Sequence, residues 1–264
     1  MYKLGVFDSG VGGLTVLKEL MGKFSNTEFI YVGDTAHVPY GNKSAQVVTG
    51  YAREIIRFLQ TQNVDAIVIA CNTVSALAYP ALKKSVETPM FEMIIPAISK
   101  AATLTKTNSV GVIGTRSTIT SDAYALIAKK QAPQLTLTSV ACPLFVPLVE
   151  EGMLSHAITR ATAELYLAPL KGKIDTLILG CTHYPLIAPI ISQVLGKGVQ
   201  LVSSAQAAAE AVHATLSRPK VEPMLKSSHV QLYATDDPSR LASFARRAVH
   251  LPVGEAHLLH LSGL

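Results

Sequence analysis

Two stretches of the chain, 110 residues apart, share an apolar run that ends in a cysteine: 66–73 (AIVIACNT) and 176–183 (TLILGCTH). Two further matches occur in the same order at nearly the same offset. Segment 4–9 (LGVFDS) is similar to 110–115 (VGVIGT), and Val38-Pro39 matches Val146-Pro147. Any one match could arise by chance, but three in order at offsets of 106 to 110 residues indicate two similar halves related by duplication.

Short β-branched runs alternate with longer segments of helical period, a pattern typical of parallel sheets covered by helices. The clearest helix is predicted over 43–60, where apolar residues from Val47 to Leu59 recur at steps of three and four. Further helices are predicted over 155–170, over 205–216 and from Asp237 to about Val249. Strands are predicted at 3–7, 28–32, 65–70, 90–95, 109–113, 135–140, 175–179, 199–202 and 229–234.

The predicted fold class is α/β, with two similar doubly wound α/β domains related by pseudo-two-fold symmetry and the active site in the cleft between them. The first domain is expected to comprise 1–95 plus 206–264, and the second 96–205. The tail is assigned to the first domain because a lone C-terminal segment cannot form a core of its own.

Polar residues follow the apolar strands, at the carboxyl ends where doubly wound sheets bind their ligands. A cysteine placed there opens a helix, so free backbone N–H groups and the helix dipole are expected to lower the pKa of its thiol. The residues at these strand ends are Asp8, Ser9, Asp34, Thr35, Cys71, Asn72, Thr73, Thr115, Cys181, Thr182 and His183.

The paired positions of Cys71 and Cys181 favour chemistry over packing. A single cysteine is often a small buried hydrophobic residue, which is the interpretation for Cys142. Metal binding and a redox disulfide are weaker alternatives because no Cys-x-x-Cys spacing occurs, so no metal site is predicted. Two thiols on opposite sides of one cleft suit the inversion of a carbon centre, where one removes a proton and the other donates one from the opposite face.

Composition excludes several other classes of protein. Three cysteines are too few for a disulfide scaffold, and no stretch approaches the ~18 consecutive apolar residues of a membrane helix. The 23 basic and 18 acidic residues are scattered, so nucleic-acid binding is not expected. The first residues lack the apolar core of a signal peptide, and we therefore expect a cytoplasmic protein without a membrane partner.

Seven segments together resemble the glutamate racemases, within the cofactor-independent aspartate/glutamate racemase superfamily. They lie in order along nearly the whole chain, and the combination is far more specific than any one of them. The segments are 7–15 (FDSGVGGLT), 33–41 (GDTAHVPYG), 71–73 (CNT), 111–115 (GVIGT), 147–152 (PLVEEG), 179–186 (LGCTHYPL) and 233–238 (YATDDP).

The resemblance implies a two-thiol acid–base mechanism that needs neither cofactor nor metal. Cys71 would act on the D-isomer with help from Asp8, and Cys181 would act on the L-isomer with help from Glu150 and His183. It also implies a homodimer and a supply of D-glutamate for peptidoglycan. The substrate-binding residues that it implies are Asp8, Ser9, Tyr40, Gly41, Asn72, Thr73, Thr115, Thr182 and His183.

Other interpretations stay open at this stage. The same two cysteines would serve an aspartate racemase, because spacing cannot measure the pocket for the side chain. A non-catalytic amino-acid-binding protein could share the fold. Asp8 and Thr115 could cap helices, and Glu150 could be a solvated loop residue. Some glutamate racemases are associated with inhibition of DNA gyrase, but the scattered positive charge gives that role no support here.

Overall fold

The computed structural model describes residues 2–216 and 229–261, and its strands form two parallel sheets. The strands are β1 Tyr2–Asp8, β2 Thr27–Gly33, β3 Ala66–Ile69, β4 Met90–Phe91, β5 Ser109–Gly114, β6 Thr136–Ala141, β7 Thr176–Gly180, β8 Gln200–Ser203, β9 His229–Ala234 and β10 Ala256–Leu258.

Helices follow most of the strands and cover the faces of the sheets. They are α1 Leu14–Lys23, α2 Ala45–Thr61, α3 Asn72–Leu77, α4 Tyr79–Leu82, α5 Ile94–Leu104, α6 Arg116–Thr120, α7 Ala123–Gln131, α8 Phe145–Glu150, α9 Ala157–Leu167, α10 Ala188–Leu195, α11 Ser204–Leu216 and α12 Pro238–Arg247. Single 3-10 turns occur at Tyr40–Asn42, Ala168–Leu170 and Tyr184–Ile187. No helix in the described part of the chain has the length and apolarity needed to cross a membrane.

The two sheets repeat one strand order. The first contains β2-β1-β3-β4 and the second β6-β5-β7-β8, with every neighbouring pair parallel. The matched sequence stretches therefore occupy the same places, since β1 corresponds to β5 and β3 to β7. The α/β class with two parallel sheets is confirmed. The Val38-Pro39 match is looser, because that cis peptide lies in a loop whereas Val146-Pro147 lies inside α8.

The C-terminal segment extends the first sheet. β9 pairs with β2, and β10 pairs with β9, both in parallel. Helix α11 also contributes Ala205, Ala208 and Val212 to an apolar core shared with Leu14 and Leu17 of α1. These contacts support the predicted division into 1–95 plus 206–264 and 96–205, which stays a prediction.

Helix α2 illustrates how the sequence builds a layer. Ser44 caps it by accepting a hydrogen bond from the Val47 N–H, and Val48, Ile55 and Leu59 are fully buried against the first sheet. Burying each such side chain contributes about 1.5–3 kcal/mol. Val47, which the apolar period placed on this face, is instead 40% exposed.

The predicted strand over 90–95 is wrong at its C-terminal end. β4 stops at Phe91, and α5 begins at Ile94. The cause is Glu92, whose buried carboxylate accepts hydrogen bonds from the N–H groups of Ile94 and Ile95 at 2.6 and 2.7 Å and so caps the helix. The short strand β10 was not predicted, because the segment has no apolar alternation.

Candidate active site

A cleft of about 340 Å³ opens at the carboxyl ends of both sheets. Every catalytic or substrate-binding residue implied by the resemblance, except Asp8, lines it, and Asp8, 1% exposed, lies directly before the lining residue Ser9. The lining residues are Ser9, Gly10, Val38, Pro39, Tyr40, Gly41, Asn42, Cys71, Asn72, Thr73, Thr115, Arg116, Pro143, Val146, Pro147, Glu150, Cys181, Thr182 and His183.

Two glycines allow the walls of the cleft to approach each other. A Cβ atom on Gly12 would lie 2.4 Å from Nδ1 of His183, and one on Gly41 would lie 2.8 Å from Cβ of Thr115. Each glycine belongs to a loop of the first sheet and meets a residue that follows a strand of the second. A larger side chain at either place would push the two halves apart.

Cys71 lies at the end of β3 and at the N-cap of α3. Its Sγ is 3.5 Å from Oγ of Ser9. Burial and the nearby charge of Asp8 raise the pKa of the Cys71 thiol to about 12. The prediction that the helix start lowers the pKa is therefore wrong here: backbone N–H groups of Val74 and Ser9 oppose the rise, but burial outweighs them.

Asp8 is a buried carboxyl group with one oxygen held and one free. Oδ2 accepts hydrogen bonds from the N–H groups of Gly10 and Gly13 at 3.1 and 3.0 Å. Oδ1 is buried and has no hydrogen-bond partner among the residues that the structure describes. Burial raises the pKa of Asp8, and the positive charge of His183 opposes that rise. The raised pKa favours the uptake of a proton by Asp8 beside Cys71.

Cys181 has a basic partner instead. Its Sγ lies 3.8 Å from Nδ1 of His183, and Nε2 of His183 lies 3.0 Å from Oε1 of Glu150. Arg240, on α12, donates to Oε2 of Glu150 at 3.3 Å. These four side chains form a continuous line from the surface to the sulfur.

The hydrogen bonds and charges between these side chains set the pKa values of His183 and Glu150. Burial by itself would lower the pKa of His183, but contacts with Cys181 and Glu150 raise it to about 10. Burial tends to raise the pKa of Glu150, and the opposing effects of His183 and Arg240 leave it lowered. At neutral pH, an imidazolium therefore lies between a carboxylate and the Cys181 sulfur. A cation in that place stabilises a negative sulfur.

Hydroxyl and amide groups complete the floor of the cleft. The hydroxyls of Thr73, Thr115 and Thr118 are mutually hydrogen-bonded at 2.9 to 3.1 Å, which joins α3 to α6. Thr115 also caps α6 by accepting from the Thr118 N–H, so its capping and lining roles coexist. Asn72 is held by Tyr124 and Ser204. Such donors suit a carboxylate.

The comparisons with known proteins agree with this geometry. A sequence model of the Asp/Glu/Hydantoin racemase family matches residues 16–212. A glutamate racemase of Syntrophus aciditrophicus (strain SB) is 44% identical over 249 residues, which are 94% of this chain and 92% of the relative. The chain belongs to the Asp/Glu/hydantoin racemase family. The resemblance inferred from the sequence motifs is thereby confirmed.

Solved structures of racemases of this family superpose along the whole chain. A glutamate racemase isoform of Bacillus anthracis has a TM-score of 0.91 at 33% identity and covers 98% of both chains. The glutamate racemase of Francisella tularensis subsp. tularensis SCHU S4, solved in complex with D-glutamate, has a TM-score of 0.90 at 37% identity and covers 99% of this chain and 98% of its own.

Several residues around the site were not predicted for this racemase. Arg116 lines the cleft, while Thr118, Tyr124, Ser204 and Arg240 hold residues that line it. The strand-end pattern did not single them out, although Ser204 directly follows β8, because their contacts with the cleft residues depend on how separate segments pack. The position of Asp34 differs from the one expected: it does not line the cleft.

Asp34 is instead buried behind the cleft, where it holds a turn that forms one wall. Its carboxylate accepts from Tyr40 and from Thr235 and contacts Nδ1 of His37 at 2.8 Å. This holds the Tyr40–Asn42 turn, which lines the cleft. Cys142 is fully buried, as predicted for a small hydrophobic residue. Within 2–216 and 229–261, no three His, Cys, Asp or Glu side chains converge as a metal site would require.

Proposed function

We propose that this chain is a glutamate racemase that interconverts L- and D-glutamate with two cysteine thiols and no cofactor. One observation carries the proposal: Cys71 and Cys181 line the same cleft, and each has a buried partner of its own. Asp8 can exchange a proton with Cys71, and the His183 cation can stabilise a negative charge on Cys181. The glutamate racemases among its relatives, one of them solved with D-glutamate, support the choice of substrate.

The charges of the site suggest how a turnover from L- to D-glutamate begins. The Cys181 sulfur, stabilised in its negative form by the His183 cation, removes the α-proton of the L-isomer. The Cys71 thiol donates its own proton to the opposite face of the carbon. Afterwards Cys181 carries the proton and Cys71 is the thiolate, so the reverse reaction starts from that state. The first state returns when Asp8, through its free Oδ1, passes a proton to the Cys71 thiolate and regains one from solvent, while the Cys181 thiol releases its proton to solvent.

The difficult step is the removal of a proton from carbon, because the α-carbon is far less acidic than a thiol. The developing negative charge lies next to the α-carboxylate, and fixed hydrogen-bond donors are the means by which a protein stabilises such charge. We assign the binding of the α-carboxylate, in the ground state as well as the transition state, to Asn72, Thr73, Thr115 and Thr182, and the binding of the side-chain carboxylate to Ser9 and the Tyr40–Gly41 backbone. All of them line the cleft.

The first experiment is circular dichroism of L-glutamate incubated with the purified protein and no added cofactor. We expect the optical signal to decay to zero with the wild type and to persist with Cys71→Ser and with Cys181→Ser. Cys142→Ser is the matched control, since Cys142 is buried outside the cleft. It should racemise normally.

Two alternatives predict different results in the same assay. An aspartate racemase would leave L-glutamate unchanged and racemise L-aspartate, and the two-thiol mechanism would survive. A binding protein would racemise neither, and Cys71→Ala would bind glutamate as tightly as the wild type. The proposal fails in both cases.

The cellular role follows from the activity. We propose that the product D-glutamate supplies peptidoglycan synthesis, as the resemblance implies. Expression in a bacterium that requires D-glutamate should restore growth without the supplement, and the Cys181→Ser variant should not. A homodimer and a cytoplasmic location remain predictions, which sedimentation and cell fractionation would check.

A further inference from the structure

The side-chain amide of Asn72 is held at both ends. Its Oδ1 accepts from the Tyr124 hydroxyl at 2.7 Å, and its Nδ2 donates to Oγ of Ser204 at 3.1 Å. All three side chains are buried, and Asn72 is only 2% exposed although it lines the cleft. Tyr124 lies on α7 and Ser204 begins α11, so two separate elements fix the orientation of the Asn72 amide.

The direction of these hydrogen bonds follows from the proton of Ser204. A serine hydroxyl has one proton, and this one goes to the backbone carbonyl of Leu179 at 2.9 Å. The oxygen of Ser204 can therefore only accept from its other neighbour, which must be an N–H. The Nδ2 end of Asn72 accordingly faces Ser204, and the Oδ1 end faces Tyr124. Burial raises the pKa of Tyr124 well above its usual value, so the phenol stays a donor.

An amide fixed in this way has one N–H left. The NH₂ group has two protons, and Ser204 takes one of them. The remaining N–H belongs to a side chain at the wall of the cleft, next in sequence to Cys71. If the amide were flipped, Oδ1 of Asn72 would face Oγ of Ser204. The Ser204 hydroxyl already donates its proton to Leu179, so the lone pairs of the two oxygens would repel each other.

We propose that Tyr124 and Ser204 are positioning residues that lock the Asn72 amide so that it offers an N–H to the substrate carboxylate. The proposal deepens the racemase function and rests on it. It also links the two thiols: Asn72 follows Cys71, and Leu179 lies two residues before Cys181. The lock joins the two segments that carry the reacting sulfurs.

The central test is Tyr124→Phe, which removes the hydroxyl and keeps the ring. We expect the KM for glutamate to rise about 10-fold and kcat to change less than about 3-fold, since one oriented hydrogen bond to a charged group is weakened while the thiols are untouched. Ser204→Ala should act in the same direction. Tyr2→Phe is the control, because it also removes a hydroxyl bonded to a distant carbonyl, that of Leu216, away from the cleft. It should leave KM unchanged.

A double-mutant cycle separates positioning from a general loss of packing. In an Asn72→Ala background, Tyr124→Phe should raise KM no further, because its effect is transmitted through the missing amide. A folded Tyr124→Phe protein with the KM of the wild type would overturn the proposal. So would additive effects of the two substitutions.

A measurement without substrate keeps this proposal apart from the proposed function. The side-chain ¹⁵N–¹H signals of Asn72 can be identified by their loss in Asn72→Ala. We expect two well-separated, slowly exchanging amide protons in the wild type and faster exchange in Tyr124→Phe. If the wild type showed this pattern but racemised no glutamate, the lock would stand and the proposed function would fall. Identical signals in wild type and Tyr124→Phe would refute the lock.

Discussion

The two cysteines occupy equivalent places in the repeat but have opposite electrostatic surroundings. Cys71 lies beside the carboxyl group of Asp8, which together with burial raises the pKa of its thiol to about 12. Cys181 lies beside His183, whose own pKa is raised to about 10. One sulfur is thus kept protonated, and the other faces a cation.

The charged partner of each cysteine lies at a position where the other half of the repeat has an uncharged residue. At an offset of 110 residues, the counterpart of His183 is Thr73, a neutral hydroxyl. At an offset of 106 residues, the counterpart of Asp8 is Gly114, which has no side chain. Duplication supplied two thiols at one cleft, and divergence gave each a partner of a different charge. An acid–base reaction that inverts a carbon needs one proton donor and one acceptor at the start, and partners of different charge favour that arrangement.

The largest expected effect comes from removing one thiol. Cys71→Ala and Cys181→Ala should each lose racemisation by at least ~10³-fold, because no group remains to serve one face of the carbon. Each remaining thiol should still exchange the α-hydrogen of one isomer with solvent. Proton NMR in D₂O should show exchange of L-glutamate with Cys71→Ala and of D-glutamate with Cys181→Ala. Equal exchange of both isomers by either variant would contradict the assignment of faces.

Removing the acidic partner should have the next largest effect. Asp8→Asn should lower kcat by roughly 10²-fold, as the loss of an assisting acid–base group does. It should also lower the pKa of Cys71, because the carboxylate charge that raises it is gone while burial remains. Iodoacetamide should therefore label Cys71 at lower pH in the variant, with buried Cys142 as the internal control in the same digest. Unchanged or slower labelling of Cys71 would show that Asp8 does not control the thiol.

The sequence predicted the site better than it predicted the charges. The repeated strand ends brought Cys71, Cys181 and their neighbours to one cleft, because parallel strands of the same order must end at the same edge. The pKa of Cys71 could not be predicted in that way, since it depends on burial by distant segments. Residues such as Tyr124 and Ser204 were missed for a similar reason: they act through the side chain of Asn72, and that contact depends on how separate segments pack.

The role of His183, the basic partner of Cys181, can also be tested by measuring the thermal stability of the protein at different pH. The pKa of His183 is raised from 6.5 to about 10 in the folded protein, so its stabilising effect is complete below pH 6.5 and is lost as the pH rises to 10. The lowered pKa of Glu150 adds stability that is lost as the pH falls below 4.5. His183→Asn should therefore melt a few degrees below wild type at pH 6, where about 1 kcal/mol corresponds to roughly 2–4 °C. The deficit should shrink steadily between pH 6.5 and 10 in thermal scans, and a deficit independent of pH would mean that packing alone is lost.

The smallest effect should come from the outer end of the Cys181 line. Arg240 donates to Glu150 but is 57% exposed, so water and salt screen its charge. Such exposed pairs contribute about 0.2–1 kcal/mol, and Arg240→Gln should therefore change kcat/KM by less than about 5-fold, with less change at high salt. Because the equilibrium constant of a racemase is one, kcat/KM must fall by the same factor from either isomer, and unequal losses would expose a faulty assay. A loss above about 50-fold that persists at high salt would mean that the charge on Cys181 is set from α12 and not by His183 alone. The asymmetry of the two thiols would then depend on the C-terminal segment that completes the first sheet.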